Sequence, residues 1–251
     1  MVLIQSAGLI ESQPIPNELC MESGNIIPFI APVPLNNNST NAEHQKVVLL
    51  AQEKRLLFGD LNEEMDKWSG ASEFCTAIDS IVEIESETDF FKNKKVLEVG
   101  FSTALPTIYA LEHGASSATL VYPSDEAYQT YIKPTIEQNK NVSDNINIVI
   151  GDVDNLEEKI SEKFDIILAP ELVLTNSKYF DKIHALLDSA LADNGIIILS
   201  GRTHYHNSSG NMSLMLEMIK SKGRFVVIDR TPECQRHDTA PRKIVQLMRI
   251  F

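Results

Sequence analysis

Cysteine is sparse: the chain has 251 residues and three cysteines, Cys20, Cys75 and Cys234, widely spaced and odd in number. They form neither a disulfide framework nor a Cys-x-x-Cys pair, which fits a reducing compartment. No apolar run approaches the roughly 20 residues needed to span a bilayer. The segment MVLIQSAGLIES lacks a basic stretch and meets Glu11 too early for a secretory signal, so the sequons at Asn38, Asn141 and Asn207 carry no meaning. Positive charge is also short, with 22 Lys and Arg against 35 Asp and Glu, a net charge of −13. That deficit argues against direct nucleic-acid binding and is compatible with a protein partner of basic character. The expected location is the cytoplasm, with the nucleus a second compartment open to it, and no membrane partner is expected. A Gly-x-Gly-x-x-Gly loop is absent, and neither Ser6 nor Ser209 has glycine on both sides as a nucleophile elbow requires, so dehydrogenase and hydrolase chemistry are disfavoured.

What is present is a strand–turn–helix between Lys94 and Ser116. Val96-Leu97-Glu98-Val99 reads as a short buried strand ending at Gly100, and Leu105, Ile108, Tyr109 and Leu111 mark the apolar face of a helix closed by His113-Gly114. This is the local architecture of a nucleotide cradle. Further strand-like runs occur at 118–123, 146–152, 164–171, 195–201, 225–230 and 243–251, several continuously apolar as strands buried on both faces must be. Helical patterns at 125–140, 178–192 and 212–222 lie between them. The alternation predicts an α/β fold, doubly wound around a mostly parallel seven-strand sheet. The last connection, TPECQRHDTAPR, has no helical period, so the last two strands are expected to pair as a terminal antiparallel hairpin. Residues 1–43, with scattered prolines and the tract Asn36 to Thr40, show no period and are expected to form a largely disordered tail, dispensable for folding. Residues 44–251 form the expected domain.

The order and spacing of several segments resemble the seven-strand, class I S-adenosylmethionine-dependent methyltransferases, and more narrowly the protein-histidine N-methyltransferase family. DKWSGASEF (66–74), KVLEVGFSTALPTIYALEHGAS (95–116), YIKPTIEQNK (131–140), FDIILAPELVLTNSKYFDKIHALL (164–187) and SGRTHYHNSSGNMSLMLEMIKSKGRF (200–225) succeed one another as the family's segments do. The resemblance covers about Lys67 to Phe251. It implies an S-adenosylmethionine cofactor and a protein substrate, with a basic ribosomal or RNA-associated protein as one class. It places Glu98, Gly100, Phe101 and Ser102 in the cofactor loop and Asp152 against the adenine. Pro170 and Glu171 fall where the transferable methyl would sit, and Trp68 would shield the cofactor. His204 and Tyr205 fall in the substrate loop.

Four positions depart from the family pattern. Ser102 and Ala104 stand where glycines admit the cofactor, and Tyr122 stands where an acid would bind the ribose hydroxyls. Asp125 lies three residues late for that role. Ser69 replaces the acid after the tryptophan, and Gly210 alone remains of a glycine-rich loop. A charged hydrogen bond to a ribose contributes about 1.5–3 kcal/mol, and a left-handed non-glycine residue costs about 1–2 kcal/mol. Together these amount to roughly two to four decades in affinity. Two readings follow: an active protein methyltransferase, and a methyltransferase-like binding module without catalysis. His204, His206, Cys234 and His237 offer ligand-like spacings, but nothing joins the pairs into a zinc site. Met212, Met215 and Met218 are read as core.

Overall fold

The computed structural model describes residues 15–31, 61–84, 88–122, 128–151, 154–205, 208–232 and 241–250. Its centre is a seven-stranded sheet built from β3 (Lys95–Glu98), β4 (Ser117–Tyr122), β5 (Ile146–Ile150), β6 (Phe164–Ala169), β7 (Leu191–Arg202), β8 (Phe225–Asp229) and β9 (Arg242–Arg249), in the order β5-β4-β3-β6-β7-β9-β8. The first five strands in that order run parallel, and β9 lies antiparallel to both β7 and β8. The expected doubly wound sheet with a terminal antiparallel hairpin is therefore what the chain adopts.

The continuous apolar runs exist because both faces of the sheet are covered. Alternate side chains enter opposite cores: Val96, Ile166, Leu168 and Ile198 on one face, Leu97, Ile167, Ile197 and Leu199 on the other. The first face carries α1 (Leu61–Asp79), α2 (Leu105–Glu112) and α3 (Lys133–Gln138), through residues such as Phe74, Ile78, Leu105, Ile108 and Ile132 just before α3. A short helix, α4 (Leu156–Lys159), packs on the second face with α5 (Phe180–Ala190) and α6 (Met212–Lys222). Met212 and Met215 are fully buried there and Met218 packs against them, in line with the core reading. α6 starts where Asn211 accepts the Leu214 N–H at 3.0 Å and ends at Gly223 in the left-handed conformation.

The expectation of a structureless tail fails for residues 15–31. They form an antiparallel hairpin, β1 (Ile15–Cys20) and β2 (Ile26–Ala31), with a turn through Gly24. Leu19, Met21, Ile27 and Phe29 join the core of the first face. Buried Asp79 at the end of α1 accepts the Ser23 hydroxyl at 2.6 Å, the Asn25 side chain at 3.3 Å and the Tyr109 hydroxyl at 3.1 Å, which pins the turn. On the other side, Ile30 N–H donates to Thr135 Oγ1 and Asn139 Nδ2 donates to Pro28 O, both at 2.9 Å. Two prolines are tolerated because a two-stranded ribbon leaves one side of each strand free of ladder bonds. The boundary at 43/44 lies outside the described residues.

Candidate active site

The order in which strands are added reverses between the parallel neighbours β3 and β6, with β4 and β5 on one side and β7 on the other, and open α/β sheets bind ligands there, beyond the carboxyl ends of the strands. The loops leaving these two strands are locked together. Phe101 N–H donates to Pro170 O at 2.8 Å. Gly100 has φ +124°, and a Cβ there would collide with Pro170 O, so glycine is demanded by backbone approach.

Glu98 ends β3 and points into the start of α2. Its Oε1 accepts the Thr103 and Ala104 N–H groups at 2.8 and 3.2 Å, and its Oε2 accepts that of Thr107 at 3.0 Å. The side chain thus caps a helix that has no capping residue of its own. Burial pushes its carboxyl up to about 7, partly opposed by hydrogen bonds from Thr107, Thr103 and Ala104. Ala104 occupies the left-handed region at φ +66°, the geometry expected of the missing glycine. Ser102 is 2% exposed, and its Oγ has no hydrogen-bond partner among the described residues. A buried hydroxyl without a partner is unfavourable, and a polar ligand group would complete it.

Three aromatic rings stand beside the loop. Trp68 on α1 is stacked on Phe29 of the hairpin and meets Phe101 edge-on, each with centroids 5.7 Å apart. Tyr122, expected at the cofactor, instead sinks its ring into the apolar core of the first face, while its backbone O accepts Gly151 N–H at 2.9 Å. Asp152 lies outside the described residues, as do Asp125, His206, Cys234 and His237.

The end of β6 holds a buried ionic chain. Glu171, in the left-handed conformation at φ +51°, accepts Arg242 Nε at 2.7 Å and the Tyr205 hydroxyl at 2.7 Å. Arg242 also reaches Glu73 on α1 at 2.7 Å, and Tyr205 OH accepts Arg202 N–H at 2.8 Å. Gly70 lies against this carboxylate, since a Cβ there would meet Glu171 at 2.7 Å. Burial and the Glu171 charge both push the Tyr205 phenol above its ordinary range. Of the residues assigned to the substrate side, Glu171 and Tyr205 are therefore brought together and buried, whereas His204 is exposed beside them. Arg242, Glu73, Asp79 and Phe29 were missed by sequence reasoning. Arg242 and Glu73 are 169 residues apart, a pairing that no local pattern announces. The hairpin had one usable signal, Ser23-Gly24-Asn25 between apolar runs.

The fold and the switch-point loops define a protein of the class I S-adenosylmethionine-dependent methyltransferase fold. No family model matches the chain. It is 32% identical over 237 residues to the Caenorhabditis elegans protein "Uncharacterized protein F22B7.9", covering 94% of each chain, and it belongs to one family with that protein. It is 30% identical over 152 residues to the Dictyostelium discoideum "Histidine protein methyltransferase 1 homolog", a match covering 60% of this chain and about half, 48%, of that one. Among solved structures, the glycopeptide N-methyltransferase MtfA in complex with S-adenosyl-L-homocysteine superposes with a TM-score of 0.53 at 13% identity, covering 70% of this chain and 90% of that one. This last likeness is one of fold.

Proposed function

We propose that this chain is an S-adenosylmethionine-dependent protein methyltransferase whose acceptor is an uncharged nitrogen, with histidine of a basic protein as the favoured substrate. The observation that carries the cofactor reading is the buried hydroxyl of Ser102, which has no hydrogen-bond partner among the described residues, in the loop after β3 at the topological switch point. Fold likeness to a complex with S-adenosylhomocysteine supports the same cofactor, and the relative from Dictyostelium supports histidine. The fold does not choose between protein and RNA. The net charge of −13 favours protein, because a phosphate backbone requires a basic surface.

When bound, the cofactor supplies an electrophilic methyl group that needs only in-line alignment with an uncharged nucleophile. Ser102 would hold its polar end, Glu98 fixes the backbone around it, and Trp68 with Phe101 excludes water from that side. Histidine has an ordinary pKa near 6.5, so its neutral form is abundant at neutral pH and no dedicated base is required. The proton released from the methylated ring passes to solvent. Glu171 acts as a positioning residue, since Arg242 and Tyr205 hold it in the turn after β6.

A second reading, a binding module without catalysis, is favoured by the closed geometry of the Glu98 cap and by Ala104 in a glycine conformation. Transfer of labelled methyl from S-adenosylmethionine to histidine-containing basic peptides separates the two. Incorporation abolished by Ser102→Leu supports the enzyme, and its absence with every peptide leaves the module.

A further inference from the structure

A groove of about 810 Å³ lies between the hairpin, α1 and α3, outside the switch-point site. Such a volume falls in the range of pockets that hold a ligand or several peptide side chains. Five consecutive residues of β1, Pro16 to Cys20, line it. Successive strand residues point to opposite faces, so a groove touching all five runs along the strand's edge. Among the described residues β1 pairs with β2 alone.

The opposite wall is α1, through Ser69, Ser72 and Glu73. Among the described residues, the charged side chains lining the groove are Glu18 and Glu73, with no Lys, Arg or His. Glu73, partly exposed on the groove wall, shares Arg242 with buried Glu171. Glu18, on the opposite wall, is exposed and negatively charged. The groove also connects to the switch-point site by two routes. Phe29, which lines it, stacks on Trp68, and Trp68 touches Phe101 of the loop after β3. Glu73 reaches Glu171 at the end of β6 through Arg242.

We infer that this groove binds an extended, cationic segment of a protein, with its lysine or arginine side chains toward Glu18 and Glu73. Charge complementarity selects the occupant, and an elongated groove along a strand edge suits an extended peptide. The segment's role as the substrate's docking stretch rests on the protein-methyltransferase reading, but binding itself does not require turnover.

The test is fluorescence anisotropy with the full chain and a fluorescein-labelled 12-residue peptide of Lys, Arg and Gly around one His. Comparison probes are the same peptide with Glu for every Lys and Arg, and a uridine decamer. Expected are saturable binding of the cationic peptide alone, weakening steeply with salt, by about threefold in Glu18→Gln and about tenfold in Glu18→Lys. Ser72→Phe, which fills the groove without changing charge, should lose binding as well. The proposal is overturned by no binding of the cationic peptide, by equal binding of either comparison probe, or by affinity unchanged in both Glu18→Lys and Ser72→Phe. Titration with S-adenosylhomocysteine, run separately, reports on the cofactor reading alone, so each idea fails by its own result.

Discussion

Glu171 and Arg242 form a buried ion pair, Oε1 to Nε 2.7 Å, with side chains 0% and 2% exposed. The pair joins the end of β6 to the start of β9, and the second guanidinium bond extends it to Glu73 on α1. Removing one partner leaves an uncompensated charge in the interior, so Arg242→Met should lower stability by about 3–5 kcal/mol. Urea unfolding of Arg242→Met and of the double variant Glu171→Gln/Arg242→Met checks this. The double variant should recover part of the loss.

Glu98 makes stability depend on pH. Its carboxyl titrates at about 7 in the fold, against 4.5 ordinarily, because burial disfavours the charge. Between those values the native state keeps a proton that the unfolded state has released. Stability should therefore fall as pH rises from about 4.5 to about 7, by at most ~1.4 kcal/mol per pH unit from this group, and level off above. Denaturant titrations at half-unit steps should show that slope in the native protein and a flatter profile in Glu98→Gln.

The hairpin is part of the domain, contrary to its proline-rich composition. Phe29→Ala removes a side chain stacked on Trp68 and should cost about 3–5 kcal/mol. Deleting residues 1–41 should lower the melting temperature by many degrees, read by differential scanning calorimetry. An unchanged melting temperature would mean that the hairpin contributes nothing to the core.

Ala104 holds a conformation that favours glycine. Ala104→Gly should stabilise the protein by about 1 kcal/mol and strengthen S-adenosylhomocysteine binding by several-fold, because it relaxes the loop that encloses Ser102. Tyr122→Asp is the poorer rescue, since it would place a carboxylate in an apolar core.

The sheet was legible because strands buried on both faces write themselves as apolar runs, and Gly100, Gly114 and Gly223 marked real turns with positive φ. The hairpin was not legible, because Pro16 and Pro28 break the strand pattern while the partners that fix it, Thr135, Asn139 and Asp79, are more than fifty residues away. At the site, Glu98 at the end of β3 and Gly100 in the turn after it lie two residues apart and could be read locally. The roles of Glu171, Tyr205 and Arg242 depend on three separate elements meeting, which local spacing does not encode. The place of Tyr122 at the end of β4 is legible in the family pattern, but position along a strand does not reveal that its ring turns into the core.

Whether the loop around Ser102 admits S-adenosylmethionine is decided by calorimetric titration of the full chain with S-adenosylhomocysteine. One saturable site per chain is expected, with a dissociation constant weakened from the micromolar toward the millimolar range by Ala104 in a glycine conformation and by the missing ribose acid at position 122; Ser102, which does not have a positive φ, adds no such strain. Ser102→Leu should abolish that binding while leaving the fold intact by circular dichroism. Absence of saturable heat at several millimolar ligand, in both the native chain and Ala104→Gly, would mean that the loop admits no such cofactor.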